Sequence, residues 1–212
     1  MSGFLTTLSV FSGLLPIGVA GVRYRTFGPV LRVMAWFFVV SGAFDLTLYV
    51  ISTYLHVRSM PLLHVFSVIN LLVLSWLYHK ILEGHRLRGA IIAVAGSILV
   101  YGVYQVLLPG QLWQFPSALM TVQCVFFIVL SLVYFYQMQQ QPEVVAIEHN
   151  PLFWVNAGVL LYFASNLFLF LLQSLFGAPE VYNAYYTIHS VANVLAYTLY
   201  AAGLLCKPPR LT

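Results

Sequence analysis

The chain reads as an all-α integral membrane protein built as a bundle of seven transmembrane helices. Three observations predict this class. Lys and Arg number nine and Asp and Glu five in 212 residues, whereas about a quarter of the residues in a soluble domain are charged. Hydrophobic residues make up 61% of the chain. The few charges fall mostly in the gaps between seven apolar stretches of roughly 20 residues, the length needed to cross hydrocarbon. Hydrocarbon excludes charge and offers the backbone no hydrogen-bond partner, so such stretches must be helical. Seven helices with short connections use up the length and leave no room for a separate soluble domain. Kinase, nuclease or ATPase chemistry would have to come from a partner chain.

The elements follow in order. Span one covers about residues 4–22 and is followed at once by Arg23 and Arg25. A cleavable signal peptide carries its basic residues before the apolar segment, so this stretch reads as a retained helix. Span two covers about 30–55 and span three 61–82, with Pro61 in the first turn, where its missing N–H does no harm. Span four covers 89–108, and Pro109-Gly110 marks the turn into span five at 112–136. Asn150 is an N-cap and Pro151 a first helical residue for span six, 151–176. Span seven covers 181–205. The connection between spans five and six, 137–149, carries Glu143 and Glu148 but no Lys or Arg; it is the longest inner loop and a docking candidate.

The basic residues choose a direction. Arg23, Arg25, Arg32, Lys80, Arg86, Arg88, Lys207 and Arg210 all face the cytoplasm if the N-terminus lies outside, and Arg58 alone falls on the other side. Loop Lys/Arg excess marks the cytoplasmic face, which predicts an N-terminus outside and a C-terminus in the cytoplasm. Because these residues are dispersed over several loops, they do not form a nucleic-acid surface. The bilayer itself is the partner they imply.

Two segments echo one another. Ser67-Val68-Ile69-Asn70-Leu71-Leu72 in span three resembles Ser190-Val191-Ala192-Asn193-Val194-Leu195 in span seven, each with a histidine upstream, His64 and His189. Stepping back to the preceding helix reaches Asp45 in one case and Asn166 in the other. Spans one to three would then match five to seven, with span four as a linker: a parallel 3+1+3 repeat. Short matches between apolar helices also arise by chance, so both readings stay open. A true repeat would gather Asp45, Asn70, Asn166 and Asn193 about one pseudo-twofold axis.

Polar residues inside the spans carry the functional reading. Asp45 sits about ten residues, or roughly 15 Å, from the outer end of span two. A carboxylate at that depth is costly unless paired, hydrated or protonated, and such residues usually face the bundle interior. His189, Gln123 and Asn166 fall at comparable depth, and His64 and Gln105 nearer the outer surface. His189 and Asn193, at i and i+4, share a helix face. Asp45, His64, Gln105, Gln123, Asn166, His189 and Asn193 are therefore the candidate ligand-binding residues, converging on a pocket that opens outward. Tyr24, Tyr54 and Tyr136 near span ends fit interfacial belts. Gly42, Ala93 and Gly96 permit close helix approach.

Other chemistries lack a signature. His64, His189 and Asp45 would make a three-ligand zinc site, and paired histidines a haem site, but no spacing pattern supports either, so no metal, cofactor or catalytic residue is assigned. Seven-helix zinc hydrolases typically carry an HxxxH pair in the last helix, where this chain has His189-x-x-x-Asn193. A retinal protein needs a Schiff-base lysine in span seven, and residues 181–205 contain none.

The stretch Asn150-Pro151-Leu152-Phe153-Trp154-Val155-Asn156-Ala157-Gly158, with Leu161-Tyr162-Phe163 and Ile188-His189-Ser190-Val191-Ala192-Asn193, carries a resemblance. It resembles seven-helix bacterial membrane proteins similar to the membrane sensor regions associated with histidine kinases. The resemblance implies a bacterial inner-membrane location and a sensory role, and carries no functional residues with it. The 3+1+3 reading also resembles small sugar transporters of the PQ-loop type, although the nearest element here, Gln141-Pro142, has the reverse order. The expectation is a receptor-like sensor that binds a small or lipidic ligand in an intramembrane polar pocket and signals through a partner such as a histidine kinase. A small-solute or proton-coupled transporter is the alternative, and a metal-dependent membrane enzyme the third. A homo-oligomer is compatible with each.

Overall fold

The computed structural model describes residues 2–55, 59–140, 147–176 and 179–206. Arg58, Lys207, Arg210, Gln141-Pro142 and Glu143, all used above, lie outside the described residues. The described residues form eight α-helices: α1 (Ser2–Ser12), α2 (Leu14–Arg23), α3 (Pro29–Val50), α4 (Met60–Ile81), α5 (His85–Leu107), α6 (Ser117–Gln139), α7 (Pro151–Phe176) and α8 (Pro179–Leu205). Among the described residues, seven stretches are long and apolar enough to cross a membrane, beginning with Phe4–Thr26, which joins α1 and α2 into span one. Spans two to seven are α3 to α8 in turn.

Local chemistry explains most boundaries. Pro16 has no N–H to return to the carbonyl of residue 12, and the first span breaks there, between Ser12 and Leu14. Pro29 opens α3 and Pro151 opens α7. Asn150 caps α7 as expected, its Oδ1 accepting the Leu152 N–H at 2.9 Å. Gly110 turns the chain after α5 with φ +80°, a conformation that suits glycine. Span two ends in a π-helical turn, Ile51–Leu55.

Neighbouring helices close a ring. Span one packs on spans two and seven, two on three, three on five, five on six, and six on seven. Span four stands outside this ring against spans three and five. It is the least buried of the seven, and span seven is the most buried. Spans six and seven approach most closely. A Cβ on Gly158 would lie 2.5 Å from the Tyr200 ring, and one on Gly203 2.7 Å from the Pro151 carbonyl. Gly42 also meets a neighbour as expected, its added Cβ falling 2.8 Å from Ile17. Gly96 does not: open space surrounds it, and Ala93 is exposed, so this face of span four packs on no other span among the described residues.

One end of the bundle is tied by backbone-capping side chains. Arg23 donates to the carbonyls of Leu204 (3.0 Å) and Leu205, which joins the C-terminal ends of spans one and seven. Gln137 at the end of span five exchanges two hydrogen bonds with the Glu83 backbone, 3.0 and 3.1 Å. Arg88 donates to the Leu82 carbonyl at 3.0 Å. Aromatic packing fills the interior, with Phe38 stacked on Tyr200 at 4.7 Å and Phe127 tilted against Phe163 at 4.9 Å.

Candidate functional site

Helical spacing sets up the site from four spans. On α3, Phe37, Ser41 and Asp45 recur every four residues, and on α4 Phe66, Asn70 and Leu74 do the same; on α8, Asn193, Tyr197 and Tyr200 keep three- and four-residue steps. Such steps hold side chains on one helix face. These three faces, with Tyr162 and Phe163 of α7, wall a single cavity of about 40 Å³. A water needs roughly 10–15 Å³ measured in this way, so there is space for about three water-sized groups.

Asp45 is the one acidic residue within the seven candidate spans. Its Oδ2 accepts the Tyr197 hydroxyl at 2.5 Å, a bond that ties span seven to span two across the ring. Among the described residues, no cationic side chain pairs with this carboxylate, and the cavity wall contains no Lys or Arg.

A directed chain of amides stands behind the cavity. Asn166 Nδ2 donates to the Tyr162 carbonyl at 2.7 Å, which leaves Asn166 Oδ1 as an acceptor. His189 Nδ1 lies 2.6 Å from that oxygen and must therefore carry the proton. Its Nε2 is then the acceptor and takes a hydrogen from Asn193 Nδ2 at 3.3 Å. With its nitrogen so engaged, Asn193, a residue of the cavity wall, keeps its Oδ1 as an acceptor. The i, i+4 pairing of His189 with Asn193 is as expected, but His189 and Asn166 orient a wall residue and do not line the cavity themselves.

Three sequence candidates do not reach this cavity. Gln123 is buried between α6 and α4 and donates to Ser67 Oγ at 2.9 Å. His64 is buried with Nε2 3.3 Å from the Gln114 carbonyl, and Gln105 donates to Tyr101 of its own helix at 2.9 Å. Depth along a helix brought them together on paper, while the rotation of each helix turns them to other partners. The set Asp45, His64, His189 is likewise not assembled: among the described residues no three His, Cys, Asp or Glu side chains are placed to hold a metal ion.

Sequence reasoning missed the partner of Asp45. Tyr197 lies four residues beyond Asn193 and eight beyond His189, so the face already marked by those two residues pointed to it. It also missed a second polar cluster. Tyr78 donates to Asn156 Oδ1 at 2.7 Å and lies 2.6 Å from Ser131 Oγ, while Asn156 Nδ2 donates to the Ser131 carbonyl at 3.1 Å. All three residues are buried and mutually satisfied, so this cluster fastens spans three, five and six rather than offering a site.

No protein-family model matches the chain, and neither the curated proteins nor the solved structures give a significant match.

Proposed function

We propose that the protein is a receptor-like membrane sensor whose ligand occupies the cavity among Asp45, Asn70, Asn193 and Tyr197. One observation carries this reading: side chains from four spans, including the sole intramembrane carboxylate, meet around a void instead of pairing off in a dry core. The void is far smaller than the 300–1,000 Å³ of pockets for drug-sized ligands, which favours a small polar ligand over a lipidic one. Its walls belong to helices on opposite sides of the ring, so an occupant changes how spans two and seven sit against each other.

The Lys/Arg bias supports an N-terminus outside and a C-terminus in the cytoplasm. The signal then passes through the cytoplasmic loops to a partner such as a histidine kinase of the bacterial inner membrane. The place of Asp45 and Asn193 in one chamber is compatible with a 3+1+3 repeat in which span four is the linker. Affinity purification from native membranes, followed by phosphotransfer assay, tests the sensor reading. A kinase should be recovered with the chain, and Asn193→Leu should change its autophosphorylation without changing its recovery. Recovery of this chain alone contradicts the reading.

A second reading rests on the same carboxylate. An acidic residue beside a water-sized cavity is the element a proton-coupled transporter uses. Proteoliposome flux abolished by Asp45→Asn supports it, and flux indifferent to that change removes it.

A further inference from the structure

We infer that the ligand of the Asp45 cavity is a small ammonium-type monocation, ammonium itself or a short primary amine. The inference rests on the reading of this cavity as a ligand site and names the chemistry that fits it.

Size comes first. A cavity of about 40 Å³ has room for one to three non-hydrogen atoms, which favours a small ion or solute over a sugar, an acyl chain or a peptide. Charge comes next. Asp45 has one hydrogen-bond donor, Tyr197, and no cationic partner among the described residues. An ionised carboxylate in a low-dielectric interior is stable when water or a counter-charge joins it, and the protein supplies no counter-charge at this point.

Hydrogen-bond polarity then narrows the class. The chain from the Tyr162 carbonyl through Asn166 and His189 commits the Asn193 nitrogen and leaves Asn193 Oδ1 as an acceptor. Two wall residues on different spans thus keep acceptor oxygens, one on Asp45 and one on Asn193. They call for a ligand that is a donor as well as a cation. The rest of the wall mixes four rings, Phe37, Phe38, Phe66 and Phe163, with the polar residues Ser41, Asn70, Tyr162 and Tyr200. Ring faces attract ammonium groups. An R–NH₃⁺ ion satisfies all of these at once, its N–H groups on Asp45 and Asn193 and its alkyl hydrogens on the rings.

Thermal unfolding of the full chain in lipid nanodiscs, at fixed ionic strength, tests the assignment. Methylammonium chloride should raise the unfolding temperature saturably over equal NaCl or KCl. Ammonium should compete for the effect in the unaltered protein, a readout that does not depend on any variant folding. Asp45→Asn should raise the apparent Kd for methylammonium at least tenfold. Equal stabilisation by Na⁺ or K⁺, or an affinity unchanged in Asp45→Asn, overturns the assignment. If methanol stabilises the chain instead, and Asn193→Leu abolishes that effect, the cationic class falls while the site stands. If no small solute shifts the transition and Asn193→Leu leaves kinase output unchanged, both fall.

Discussion

Asp45, His189 and Tyr78 each show how a polar group is kept inside an apolar bundle, and each by a different means. Asp45 receives one phenolic hydrogen bond and borders a void. His189 is held between two asparagines, one as acceptor and one as donor. Tyr78 sits in a closed ring with Ser131 and Asn156. Leaving a buried donor or acceptor without its partner costs about 1–3 kcal/mol. Tyr78→Phe should therefore destabilise the protein by about that amount, read as a lower midpoint in denaturant or thermal unfolding. His189→Leu strands groups on both Asn166 and Asn193 and releases the Asn193 amide to rotate. It should lower the unfolding midpoint and also weaken binding at the Asp45 cavity, whereas Tyr78→Phe should leave binding intact. Loss of binding in both variants, or in neither, contradicts the division between an orienting chain and a fastening ring.

At the level of elements, glycine separates helix surfaces that pack on another span from those that do not. Gly158 meets Tyr200 where spans six and seven cross, and Gly96 meets nothing. Overpacking a filled interface costs about 1–3 kcal/mol, and exposed sites usually shift by less than about 0.5 kcal/mol. Gly158→Ala should thus lower the unfolding temperature clearly and Gly96→Ala should not, in parallel thermal melts. The sequence reading named Gly96 for close approach and gave Gly158 no such role, because which of the two meets a neighbour depends on helix rotation. The same limit explains the site. Asn150, Pro151 and Gly110 announce their roles through local backbone chemistry and were legible. Gln123 has the right depth and the wrong face, and nothing in an almost uniformly apolar helix reveals the face. Tyr197 was hidden differently: among 14 tyrosines, one that donates to a carboxylate leaves no compositional trace.

The whole molecule is a ring of six spans with a seventh outside it. Its class was plain from charge depletion alone, since hydrocarbon leaves an all-helical chain no alternative. The ring order was not, because contacts between spans three and five or one and seven depend on packing that hydropathy does not encode. The proposed orientation has a direct check. With Cys124 and Cys206 replaced by serine, a cysteine at Gln111 should react with a membrane-impermeant maleimide in intact cells, and one at Arg86 only after permeabilisation. The opposite pattern inverts the topology. Everything functional, however, depends on span two turning Asp45 inward to meet span seven. A double-mutant cycle of Asp45→Asn and Tyr197→Phe, measured by equilibrium unfolding in bilayer mimetics, probes that meeting. Contacting residues show coupling of about 0.5–3 kcal/mol, and a coupling in this range is expected. Strictly additive effects would mean that Asp45 and Tyr197 do not touch and that the chamber is not formed as described.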